Sequence, residues 1–235
     1  MRVHPLDAVV DRPPREAAVS TSAAWLALMI GLMVGGDIEN PESFAVAAVG
    51  GAVLVFAGFA AASRCRVLPR FVGGQRVRLA VLSLAAGLVL GAANLMANWL
   101  IAESDPTIRV LLAERMTTLK PVVGIVAAPI VEEVAVRLFL MSAVAWIVWR
   151  VTKRAGLAFA LALVGSSLFF AALHLDRPLP ADPALANYYR AALLVKYTLA
   201  GLPLGWMFWR WGLPYAIVCH IAGNAAHLAL QQRFF

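Results

Sequence analysis

Seven apolar runs, most of them close to the length a bilayer demands, follow one another along this chain at residues 17–36, 44–62, 77–102, 121–149, 155–175, 191–209 and 213–230. A helix needs about 20 apolar residues to cross a hydrocarbon core, and only helices or closed barrels satisfy their backbone there. The pattern predicts an all-α fold, a polytopic transmembrane helix bundle of seven or eight spans. Hydrophobic residues make up 62% of the sequence and charged ones 14%, against roughly 25% charged in soluble domains. Little remains for a separate soluble domain. The chain divides into a polar N-terminal arm (1–16), N-terminal spans with an interfacial segment (17–120), and a C-terminal group of spans (121–235).

The formal net charge of +7 does not point to nucleic acid. The arginines cluster between apolar runs, with no basic groove interleaved with aromatics, so topology accounts for them better. Taking the N-terminus as cytoplasmic, twelve Lys and Arg fall in inside segments and six outside, while the first loop carries Asp37, Glu39 and Glu42 and no basic residue. That asymmetry predicts a multi-pass integral membrane protein with its N-terminus in the cytoplasm. The first run is followed by Gly-Gly-Asp and not by a small-residue cleavage pattern, so it reads as a retained helix. Residues 105–120 carry Ile108, Leu111, Leu112, Met116 and Leu119 at helical spacing among charges, as expected of a short helix in the interface. The fourth run is longer than a span requires and holds Pro129, where a tilt or break is expected. Cys65 and Cys219 suit neither a disulfide framework nor a zinc ligand set.

Against this background the ionisable residues inside the runs stand out. One such side chain at bilayer depth costs about 2.5–3.5 kcal/mol on insertion scales, so several in one chain point to a site. In the fourth run, Glu133 and Arg137 are four apart on a shared helix face, in the favourable order, and neutralise each other. Glu132 is turned about 100° away, so its carboxylate must be answered by another helix, by water or by a proton. It is the reactive candidate. Phe170 and His174 are likewise four apart and stack on one face at the end of the fifth run. In the seventh, His220, Asn224 and His227 form a polar stripe at i, i+4 and i+7. A structural ion network or interhelical hydrogen bonding is the competing explanation for each taken singly.

Glu132-Glu133-x-x-x-Arg137, then Phe170-x-x-x-His174, then His220-x-x-x-Asn224, in this order on the fourth, fifth and seventh runs, resembles the CAAX prenyl protease and bacteriocin-processing family, also called Abi, of intramembrane glutamic endopeptidases. The likeness covers about residues 129–227. It implies that Glu132 and His174 hold and deprotonate a water that attacks a scissile carbonyl. His220 and Asn224 would donate to the oxyanion, Glu133 and Arg137 would orient Glu132, and Phe170 would support His174. It implies no cofactor or metal, a protein or peptide substrate anchored in the membrane, and membrane lipid as surroundings. No role carries over to His227, and Cys219, turned away from His220, is inert packing.

Two other classes compete. A zinc-dependent protease could use Glu132, His174 and His220 as ligands, although the chain has no His-Glu-x-x-His helix. A carrier or immunity protein would use the same polar residues only to bind helices together. Lys196 in the sixth run is either a guide for a substrate carboxylate or, as is commoner for lysine near an interface, a snorkelling side chain, and the second is expected. Trp206, Trp209 and Trp211 with Arg210 read as an aromatic belt. Gly201, Pro203 and Gly205 predict a kinked or close-packed sixth helix.

Overall fold

The computed structural model describes residues 41–64, 76–118 and 123–234. The N-terminal arm, the first expected span and the loop carrying Cys65 lie outside the described residues. Every regular element among the described residues is a helix: α1 (Pro41–Arg64), α2 (Arg76–Ala102), α3 (Pro106–Thr118), a composite α4 from residue 123 to 152, α5 (Ala155–Ala172), α6 (Pro183–Trp211) and α7 (Leu213–Phe234). Five of these are long and apolar enough to cross a membrane, namely α2, α4, α5, α6 and α7. In α1 the apolar stretch Val49–Ala62 is shorter. The chain is a multi-pass membrane protein, and its outward faces fit that solvent: Val81, Leu84, Leu88 and Val89 of α2 and Leu161, Val164 and Leu168 of α5 are all exposed. A helix apolar on every side leaves such residues for lipid.

Pro129 does not break α4. Its ring removes the N–H that would bond the carbonyl four residues back, and the backbone widens to π geometry over Val123–Ala127 before resuming α-helix at Ala128–Glu132. A second π segment, Glu133–Met141, follows, and Ser142–Thr152 completes the helix. Local π turns are one of the ways membrane helices re-satisfy backbone groups freed by proline, and they concentrate at functional sites. Lys153, in the left-handed region at φ 56°, closes α4.

α6 begins eight residues before the expected start, because Asp182 caps it by accepting from the Leu185 N–H at 2.7 Å and Pro183 occupies the first turn. Gly212 at φ 104° makes the sharp connection from α6 to α7. The close packing expected of α6 is present: a Cβ on Gly205 would lie 2.7 Å from Leu163, and one on Gly201 3.0 Å from Ser167. On the other side, α2 lies against α7 backbone to backbone, with Gly91 facing the Gly223 carbonyl. The π segment of α4 is buried under α1, where Val55 and Phe59 meet Val134, Leu138 and Met141. Ile108 and Leu112 of α3 pack on Tyr189 and Leu193, seating that short helix across the ends of α2 and α6.

Candidate active site

α2, α4, α5, α6 and α7 enclose a cavity of about 190 Å³, and Glu132, Phe170, His174, His220 and Asn224 all line it. Residues up to 92 positions apart in sequence thus converge on one volume. At its centre is His220. Its Nδ1 lies 3.0 Å from Glu133 Oε1 and its Nε2 lies 3.5 Å from Glu132 Oε2. One imidazole therefore spans both carboxylates, and Glu132 is answered by a residue of α7, 88 positions downstream. The start of the π segment helps: a wider turn takes a smaller angular step per residue, which lets two consecutive glutamates face the same partner.

Glu133 and Arg137 are both fully buried, with Arg137 Nε 3.5 Å from Glu133 Oε2. The same guanidinium donates from Nη1 to Ser166 Oγ at 3.2 Å and sits 5.3 Å from the Phe170 ring centroid. Arg137 thereby ties α4 to α5. Ser166, which sequence reasoning passed over, gives no signal of its own, since serine in a membrane helix ordinarily bonds its own backbone. It does that too, donating to the Leu163 carbonyl at 3.2 Å.

Phe170 and His174 share a face as their spacing predicts, with centroids 4.6 Å apart, but the rings are tilted 55° to each other and do not stack. His174 Nδ1 is 2.8 Å from the Phe170 carbonyl oxygen. A carbonyl only accepts, so Nδ1 carries the proton, and in the neutral ring the lone pair resides on Nε2. That is the tautomer a base requires. Phe170 also meets His220 edge-on at 5.7 Å, so one aromatic ring separates and positions the two imidazoles.

The structure corrects one expectation. Lys196 does not snorkel: it is 7% exposed and lines the cavity. Its Nζ donates to Asn98 Oδ1 at 2.5 Å and approaches Tyr197 Oη at 3.4 Å. Asn98 in turn is 3.3 Å from His227 Nε2. Arg177, from the loop after α5, donates to Tyr197 Oη at 2.5 Å. Asn98, Arg177 and Tyr197 were not singled out by the sequence. Two lie in apolar runs where an amide or phenol carries no periodic signal, and Arg177 sits among ordinary loop charges. Cys219 is buried against α2. Trp209 packs on Phe159 at 4.7 Å, while Trp206 and Trp211 meet each other at 5.4 Å. Among the described residues, no group of three or more His, Cys, Asp or Glu side chains is arranged to hold a metal ion.

The family described as Rce1-like, type II CAAX prenyl endopeptidase, matches residues 114–226, a stretch that contains all three polar motifs. No curated protein and no solved structure matches the chain.

Proposed function

With residues 114–226 belonging to the Rce1-like type II CAAX prenyl endopeptidase family, we propose that this membrane-embedded peptidase cuts a membrane-anchored or lipidated protein or peptide by a glutamate-activated water. The observation that carries the mechanism is His220 between Glu132 and Glu133, in a cavity shared with His174 and Asn224. Glu132 and His174 hold the water, and Glu132 takes its proton as the oxygen attacks the scissile carbonyl carbon. The C–N bond then breaks, and the proton passes from Glu132 to the leaving amine. A positioned general base of this kind contributes about 10²–10⁴ in rate.

Charge balance supports this assignment. With His220 protonated, two carboxylates face one imidazolium and one guanidinium, and the set is neutral. Nδ1–H donates to Glu133 and Nε2–H to Glu132. When Glu132 accepts the proton of water, negative charge moves to the carbonyl oxygen, and Nε2–H with the Asn224 amide donates to it there. The site then stays neutral throughout, which matters where effective permittivity is low. Arg137, 3.5 Å from Glu133 Oε2, holds that carboxylate in place. The excess of Lys and Arg in the segments taken as inside supports a cytoplasmic N-terminus.

The test is cleavage of tagged membrane-anchored peptides by purified protein in detergent. Wild type cuts with or without a zinc chelator, and Glu132→Gln and His174→Ala do not. Activity abolished by chelation and restored by zinc would replace this mechanism with a metal-dependent one. Full activity in Glu132→Gln would remove Glu132 from the chemistry and favour a purely structural role for the polar residues.

A further inference from the structure

Lys196 lines the cavity, and the hydrolytic chemistry leaves it unused. We propose that it reads the free C-terminal carboxylate of the substrate, with Arg177 beside it, so that the enzyme distinguishes a chain end from an internal segment. This rests on the peptidase reading above and adds a specificity determinant to it.

Placement comes first. Lys196 meets Asn98, and Asn98 meets His227, which lies seven residues after His220 on α7. Seven residues of helix rise about 10 Å, so the ammonium stands roughly a few extended residues away from the glutamate pair. Glu132 and Lys196 line the same cavity, whose lining also includes Leu90, Ala200, Leu204 and Leu228. A short apolar peptide tail fits that description, with its cut bond at Glu132 and its end at Lys196.

Chemistry comes second. A lysine stem four carbons long could have carried its charge to the interface, yet here the ammonium is fixed inward by the Asn98 carbonyl oxygen and the Tyr197 hydroxyl. Lys196 Nζ lies 4.6 Å from the Tyr197 ring centroid and the Arg177 guanidinium carbon 4.8 Å from it. Two cations therefore converge on one phenol, and Arg177 Nε is buried with no hydrogen-bond partner among the described residues. Such a pair is suited to an oxyanion with two acceptor oxygens. A peptide terminus reaches it on the same chain as the scissile bond, whereas a lipid headgroup would have to bring its acyl chains into a volume of about 190 Å³.

The experiment is a binding measurement on the Glu132→Gln protein in nanodiscs, using a membrane-anchored fluorescent peptide with apolar final residues, made as the free acid and as the C-terminal amide. The acid is expected to bind about tenfold to a hundredfold more tightly than the amide, the range for a hydrogen bond to a charged group. Lys196→Met should bring that ratio close to one, and Lys196→Arg should keep part of it. Thermal melts accompany both variants, and the arginine variant guards against a loss due only to misfolding. Equal binding of acid and amide, no binding of either, or a ratio unchanged in Lys196→Met would overturn the proposal. So would loss of the acid preference when phosphatidylglycerol replaces phosphatidylcholine in the nanodisc, since the site would then belong to anionic headgroups. Because binding is read without turnover, these results stand apart from whether Glu132 is the base, which cleavage by the Glu132→Gln protein decides.

Discussion

Tyr197 lies almost flat against His174, ring centroids 4.1 Å apart and planes 22° from parallel. Together with Phe170 on another side and the Phe170 carbonyl at Nδ1, this fixes the imidazole plane and its tautomer. The same tyrosine takes Arg177 and Lys196 at its hydroxyl, so one residue links His174 to the cationic end of the cavity.

The two roles of Tyr197 are separable. Tyr197→Leu should lower kcat by about twofold to tenfold, the value of a lost aromatic contact. Tyr197→Phe keeps the stack and removes the hydroxyl, so kcat should stay near wild type while KM rises. Steady-state kinetics on one peptide checks both, and a phenylalanine variant as slow in kcat as the leucine variant would show that the stack is not what positions His174.

Arg137 is a stability prediction. Arg137→Met leaves Glu133 buried with its cation gone, which typically costs about 3–5 kcal/mol. The double variant Glu133→Gln/Arg137→Met removes both charges and should recover much of that loss. Thermal unfolding in detergent would show the double variant melting above the single one, with neither active. The single variant melting like wild type would mean that His220 and water already compensate Glu133.

Much of this arrangement is legible in the sequence, for a physical reason. Apolar runs announce membrane helices because lipid tolerates little else, and a carboxylate or imidazole inside such a run is conspicuous because it is costly. Glu132, Glu133, Arg137, His174, His220 and Asn224 could thus be nominated from their cost, their spacing and the family resemblance of the three motifs together. That His220 would reach both glutamates could not, since the relation depends on where α7 lies against α4 and on the π turns that Pro129 precedes. A π segment leaves no periodicity of its own in an all-apolar stretch. The fate of Lys196 was equally hidden, because snorkelling and burial differ only in what α2 offers across the gap, and that is the amide of Asn98.

Glycine substitutions should grade by what their Cβ meets. On Gly91 it would fall 2.5 Å from the Gly223 carbonyl oxygen and 2.8 Å from Ala226 Cβ, so Gly91→Ala pushes α2 off α7. Overpacking of this kind costs about 1–3 kcal/mol, and it would also pull Asn98 away from Lys196. On Gly50 nothing lies within 4 Å, so Gly50→Ala should be neutral or stabilise α1 by about 0.5–1 kcal/mol. Melting temperatures should rank Gly50→Ala at or above wild type and Gly91→Ala well below, and equal melting of the two variants would refute the backbone contact between α2 and α7.

If His220 carries the proton between Glu132 and Glu133, as proposed, the Glu132, Glu133, Arg137 and His220 set is neutral, and this makes a prediction that a list of individual roles would not. His220→Ala removes the imidazolium and leaves two carboxylates facing one guanidinium, so the protein should lose both activity and stability. In Glu132→Gln/His220→Ala one negative charge leaves with the positive one, and balance returns. The double variant should therefore be as inactive as either single variant, because groups that act as a unit do not add in their kinetic effects, yet it should melt above His220→Ala. If instead the double variant melts lower by the sum of the two single losses, the 3.5 Å contact between Glu132 and His220 is energetically independent of charge. The proton would then have to be placed elsewhere than between these two side chains.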